Sequence, residues 1–179
     1  MGVDCIFTKL NRGAQSYSLN WSDVGMEATF LGCELGIDSA LYIASLYCWD
    51  RGSYQRVMLR RNNDVVEAYV ADIDDNDNMS YGETPDKTLN YNEFKVVLET
   101  GIEKLKAYLE AACISTEAII NSIDVDFRES KELDKAISTA IDKAEDQSRA
   151  YIAIFSFLIY DSLLFNLEQN NEEFEIFYG

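Results

Sequence analysis

At Asn90 the hydrophobic pattern of this 179-residue chain changes period, and few architectures accommodate the change. Before it, short runs alternate apolar and polar residues, as half-buried strands do. After it, Phe94, Val97, Leu98, Ile102, Leu105, Tyr108, Leu109 and Ala112 recur at steps of three and four, giving one helical stripe. The only proline, Pro85, stands just before the switch. Strands followed by helices predict an α+β fold. A small antiparallel sheet comes from the N-terminal half and is packed by two or three helices from the C-terminal half. The length suits one domain over 1–179, mainly sheet over 1–88 and mainly helical over 89–179.

Residues 3–10 and 16–21 read as strands around a turn at Asn11-Arg12-Gly13. Gln55 to Arg60 and Val65 to Ile73 read as a hairpin joined by Arg61-Asn62-Asn63-Asp64. The stretch 22–37 has no clear period, and Asp38-Ser39 suits the cap of a short helix running to about Tyr47. Residues 74–88 read as a loop. Asn90 suits a helix N-cap with Glu93 three residues on, and a shorter helix follows from Ser115 to Ser122. Over 129–168, Leu133, Ile137, Ala140, Ala144, Gln147, Tyr151 and Phe155 come close to a heptad. A continuous helix there would be about 57 Å long at 1.5 Å per residue. It therefore either breaks near Asp146-Gln147-Ser148 or protrudes and pairs with a second copy as a homodimer. The aromatics Tyr151, Phe155, Phe157, Tyr160 and Phe165 serve the core in the first case and a dimer seam in the second. The tail, Phe174 to Tyr178, reads as a last edge strand.

Composition removes several chemistries. With no His, Ser-His-Asp and Cys-His catalysis and His-ligated zinc are excluded. Cys5, Cys33, Cys48 and Cys113 form no C-x-x-C pair and sit among apolar neighbours, so they read as buried free thiols in a reducing, cytoplasmic compartment. The start, Met1-Gly2-Val3-Asp4-Cys5, lacks the basic and apolar regions of a secretory signal. The most apolar run, Ala150 to Tyr160 between Arg149 and Asp161, falls short of the roughly 20 residues a membrane span needs. Gly32-Cys33-Glu34-Leu35-Gly36 lacks the phosphate-loop spacing, and its glycines suit a turn or close packing. Asp124 and Asp126 read as solvated loop residues rather than a catalytic pair.

The formal net charge is -17, from 15 Lys+Arg and 32 Asp+Glu, and it is unevenly spread. Residues 51–61 hold Arg51, Arg56, Arg60 and Arg61 and no acid, whereas 62–86 hold eight acids and no base. The arginines are expected to pair with the acidic segment beside them, with Arg56 and Arg60 on one strand face and Arg61 on the other. Residues 87–143 are nearly balanced, and 144–179 are acidic again. Such a surface repels nucleic acid and anionic lipid and steers toward basic proteins.

One acidic stretch has a recognisable spacing. Asp72, Asp74 and Asn76, then Met79, Ser80 and Glu83, fall where an EF-hand calcium loop places positions 1, 3, 5, 8, 9 and 12. The stretch resembles that loop over twelve residues only. Asp77 stands where the loop's turning Gly belongs, and Thr84-Pro85 interrupts an exiting helix. The resemblance implies a weak calcium site at Asp72, Asp74, Asn76 and Glu83; the plain reading is an acidic hairpin loop with no cofactor.

The expected function is a non-enzymatic acidic protein that inhibits or neutralises a basic, nucleic-acid-handling protein partner, either by nucleic-acid mimicry or by electrostatic steering alone. The carboxylates expected to meet the partner are Asp72, Asp74, Asp75 and Asp77 in the loop and Glu172, Glu173 and Glu175 in the tail. In composition alone the chain looks like phage anti-defence inhibitors and nuclease immunity proteins. The alternative is a structural protein that oligomerises through 129–168.

Overall fold

The computed structural model describes residues 5–12, 15–20, 31–37, 55–124, 131–169 and 173–178. The strands are β1 (Cys5–Arg12), β2 (Gln15–Asn20), β3 (Gln55–Asn62), β4 (Val65–Ile73), β5 (Met79–Tyr81), β6 (Lys87–Asn90) and β7 (Glu173–Tyr178). The helices are α1 (Tyr91–Ala111), α2 (Thr116–Asp124), α3 (Lys131–Ile141) and α4 (Gln147–Glu168). The fold is α+β, an antiparallel sheet ordered β2-β1-β7-β3-β4-β5, with β6 also beside β4. The helix expected over 38–47, the turn residue Gly13, Arg51, Asp126 and Glu172 lie outside the described residues.

The β3–β4 hairpin is tighter than its four polar residues suggest. Asn62 pairs with Val65, so Asn63 and Asp64 alone make the turn. Asn63 takes φ 54, a left-handed conformation that Asn tolerates and two-residue hairpins require. Along β4, Val66, Ala68 and Val70 are buried with Val57 and Leu59 of β3 in the core shared with the helices. Glu67 and Tyr69 alternate onto the opposite face.

The segment 74–88, expected as a loop, contains β5 and β6, which both pair with β4. Between them the Asp86 N–H donates to the Ala68 carbonyl at 2.9 Å, and its carboxylate accepts the Val70 N–H at 2.8 Å. The side chain thus satisfies a backbone donor where the irregular edge would orphan one.

The tail is not an edge strand. β7 lies between β1 and β3, antiparallel to both, with Ile176 opposite Phe7 on one side and Val57 on the other. The described pairings join the β1–β2 and β3–β4 hairpins only through it. Alternation marks a strand but carries no information about how many neighbours it will have.

α1 begins as expected: the Asn90 side chain accepts the Glu93 N–H at 3.1 Å. Its buried stripe is Tyr91, Phe94, Leu98, Gly101, Leu105 and Leu109. At its end the Ile114 N–H reaches Leu109 O and the Cys113 N–H reaches Glu110 O, both at 2.9 Å. That paired closure puts Cys113 at φ 60, where helices usually place Gly. The stretch 31–37 closes the same way, with Gly36 at φ 67 supplying the turn. The 129–168 pattern breaks rather than protrudes. α3 ends at Ile141, and the Asp146 carboxylate caps α4 by accepting the Arg149 N–H at 3.0 Å.

α4 packs against α1 and over β1 and β3. Phe155, Phe157 and Tyr160 are buried, while Tyr151 and Phe165 are half-buried. Continuing through Ser162 to Glu168, the helix is long and apolar enough to cross a membrane, contrary to the count made at Ala150 to Tyr160. Yet 72% of its most apolar 18 residues are buried inside the protein, as in a core helix. Its buried Ser156 hydroxyl and Asn166 amide donate to the carbonyls of Ile152 and Ser162, so neither is left unsatisfied.

Candidate functional site: the acidic hairpin tip

The β4–β5 hairpin presents the carboxylates that the sequence singles out. Ile73 pairs with Met79 as its last rung, and 74–78 form the connecting loop. Asp72, Asp74, Asp75 and Asp77 are all exposed. Asp74 organises the loop. Its Oδ1 accepts the N–H groups of Asn76 (2.8 Å) and Asn78 (2.9 Å), and its Oδ2 accepts from Asn78 Nδ2 (2.9 Å). These bonds, the Asn78 side chain first, hold the Asp74 carboxyl below the usual carboxylate range. Two backbone bonds between Asp74, Asp77 and Asn78 close the loop at 3.0 Å, and Asp77 takes φ 60 at its corner.

This geometry departs from a calcium loop. Asp72 and Ser80 face each other across the β4–β5 ladder instead of curling toward a common point. Glu83 lies past the end of β5, and among the described residues no three His, Cys, Asp or Glu side chains converge as a metal site would need.

Sequence reasoning missed the apolar half of the tip. Ile73 is 55% exposed and Met79 38%, so two large apolar side chains form the rung at the base of the loop that carries Asp74, Asp75 and Asp77. Arg56 Nη1 lies 3.8 Å from Met79 Sδ. The available signal was Ile73 and Met79 symmetrically flanking the acidic run, readable only once the run is taken as a hairpin tip.

The tail carboxylates have a different fate. Glu173 is exposed and lies 3.6 Å from Arg60. Glu175 is 6% exposed and accepts a 3.0 Å hydrogen bond from the Tyr81 hydroxyl. It is therefore not an accessible partner-binding residue, because β7 enters the middle of the sheet. Burial, then the bond to Glu175, pushes the Tyr81 phenol well above its usual range.

Beside it, Arg60 donates to Glu67 through Nη2 (2.8 Å) and Nε (3.2 Å) and to the Tyr69 hydroxyl (2.8 Å). Tyr69 and Asn62 also donate to Glu67. Arg60 lowers the Glu67 carboxyl below its usual range, while burial raises the Tyr69 phenol. Both shifts run upward from a value already above neutral, so burial makes these two phenols harder still to ionise.

Arg60 thus pairs with the acidic segment as expected. Arg61, on the other face as expected, does something else. It donates to Leu167 O and Glu168 O at the end of α4 and stacks 3.6 Å over the Tyr91 ring. The thiols of Cys33 and Cys113 are free, but exposed rather than buried, since both sit at helix-terminal turns. No known protein family, curated protein or solved structure matches the chain.

Proposed function

We propose that the chain is a non-enzymatic acidic binding protein that neutralises a basic protein partner, one that itself handles nucleic acid, in a reducing cytoplasm. The observation that carries this reading is the hairpin tip: four exposed carboxylates between residues 72 and 77 beside an exposed Ile73–Met79 rung. Carboxylates alone steer an encounter but add little lasting affinity in water. An apolar anchor ringed by charge is what a stable docking contact requires. Asp74 keeps the loop in one conformation, which lowers the ordering cost of binding. The partner is then a protein whose basic surface, otherwise used for phosphates, has an apolar depression.

The test is capture of partners from host lysate at about 50 mM and about 500 mM salt, a range over which the Debye length shortens severalfold. One stoichiometric basic protein, weakened at high salt, is expected. Asp72→Lys with Asp75→Lys should weaken that complex and flatten its salt dependence, and Ile73→Ser should weaken it at every salt concentration. Unchanged affinity in both variants refutes the tip as the contact. Self-assembly through 129–168 is less favoured, because the aromatics of α4 are largely used in the core of one chain.

A further inference from the structure

Away from the hairpin tip, a groove of about 730 Å³ opens between α2 and α3. Small-molecule sites occupy roughly 300–1,000 Å³. Its floor is apolar, formed by Ile114, Ala118, Ile119, Ala136 and Ala140. One wall carries Lys135, Thr139 and Lys143, at steps of four along α3 and just past its end. The Thr139 hydroxyl donates back to Lys135 O at 2.8 Å, so the two ammonium groups are the donors this wall offers. Among the described residues, Asp142 is the one carboxylate lining the groove.

The state of those ammonium groups is unusual in so acidic a chain. Lys95 pairs with Glu99 and Glu168, Lys106 with Glu110, Arg60 with Glu67 and Arg149 with Glu34. Lys104 donates to Gly36 O. Among the described residues Lys135 and Lys143 have no ion pair or hydrogen bond, although acids outnumber bases 32 to 15. Glu110 and Glu117 line an adjoining hollow that shares Cys113, Ile114 and Ser115 with the groove, on the side away from the α3 lysines; carboxylates farther than about 8–10 Å are screened at physiological salt.

From the apolar floor and the two unpaired ammonium groups we infer that this groove binds a small amphipathic carboxylate. Its hydrocarbon body lies on the alanines and isoleucines and its carboxylate lies between Lys135 and Lys143. The site is independent of the hairpin tip, in both its residues and its ligand.

Cys113 lines the groove and its thiol is exposed; Cys33 is exposed and does not line it. The rates at which iodoacetamide alkylates each, read by mass spectrometry, therefore give a signal and an internal control. With dodecanoate at ten times its dissociation constant, the Cys113 rate should fall about tenfold and the Cys33 rate should stay constant. Dodecanol, with the same chain and no charge, should protect Cys113 far less. Lys135→Glu with Lys143→Glu should abolish the protection, and Lys135→Arg with Lys143→Arg should retain it, each compared with its own ligand-free rate. An unchanged Cys113 rate, equal slowing of Cys33, or equal protection by dodecanol overturns the inference; all three use the unmodified protein and do not depend on any variant folding. Protection by an acidic amphipathic peptide but not by dodecanoate also overturns it, and makes the groove a protein-docking site.

Discussion

The hairpin tip and the tail are both acidic, and in sequence they look like two versions of one surface. In the fold they part. Asp72, Asp74, Asp75 and Asp77 remain exposed around a loop held by hydrogen bonds of its own. The tail strand is drawn between β1 and β3, where Glu175 is buried against Tyr81 and Glu173 is left beside Arg60. A carboxylate at a hairpin tip is available to a partner, whereas a carboxylate in a central strand belongs to the architecture. Acidic composition alone does not distinguish the two.

The contrast can be broken experimentally, and the largest effect is expected from the tail. Deleting 173–179 should abolish the cooperative thermal transition followed by circular dichroism, since β7 is the described link between the two hairpins. Persistence of a sharp transition would mean that β1–β2 is dispensable.

Next in size is a pair of charge reversals. Glu175→Lys should cost about 3 kcal/mol in urea denaturation, because it buries an unmatched ammonium group. Asp75→Lys should cost less than about 0.5 kcal/mol, as surface changes do. Equal costs would mean that the tail carboxylate is no more a part of the architecture than the one at the tip.

Glu67→Gln should cost about 1–3 kcal/mol by weakening charge-assisted bonds from Arg60. It should also reduce the pH dependence of stability. Arg60 lowers the folded carboxyl of Glu67, so the unfolded chain takes up this proton first as pH falls. The stabilisation is fully present above the unfolded Glu value of about 4.3 and is lost as pH falls through the lower folded value. The native protein should therefore lose stability more steeply than the Gln variant as pH falls from about 4.3 toward the lower folded value.

The smallest global effect is expected at the tip itself. Asp74→Ala should leave the melting transition nearly unmoved. It should nonetheless speed amide hydrogen exchange at Asn76 and Asn78, whose N–H groups it frees, and weaken partner binding.

Much of this was legible locally. The switch of period at Asn90, the Asn90 cap and the β3–β4 hairpin follow from spacings within a few residues, whereas the break before α4 was one of two readings the near-heptad spacing allowed. The acidic tip was legible as a loop, though not the exposed Ile73–Met79 rung, which exists only because β5 pairs with β4. The groove between α2 and α3 was not legible at all: its lysines look like ordinary helix-surface charges until the helices are packed.

By itself, then, the sequence determined the longer strands and helices, the switch between them and the uneven charge, though not the short strands β5 and β6, because periodicity, capping and turn preference act over one or two turns of chain. Tertiary structure decided which strand is central, which carboxylates stay in water and which thiols are exposed. Those outcomes depend on contacts such as Ile176 with Phe7 and Tyr81 with Glu175, far apart in sequence, whose formation no local pattern encodes.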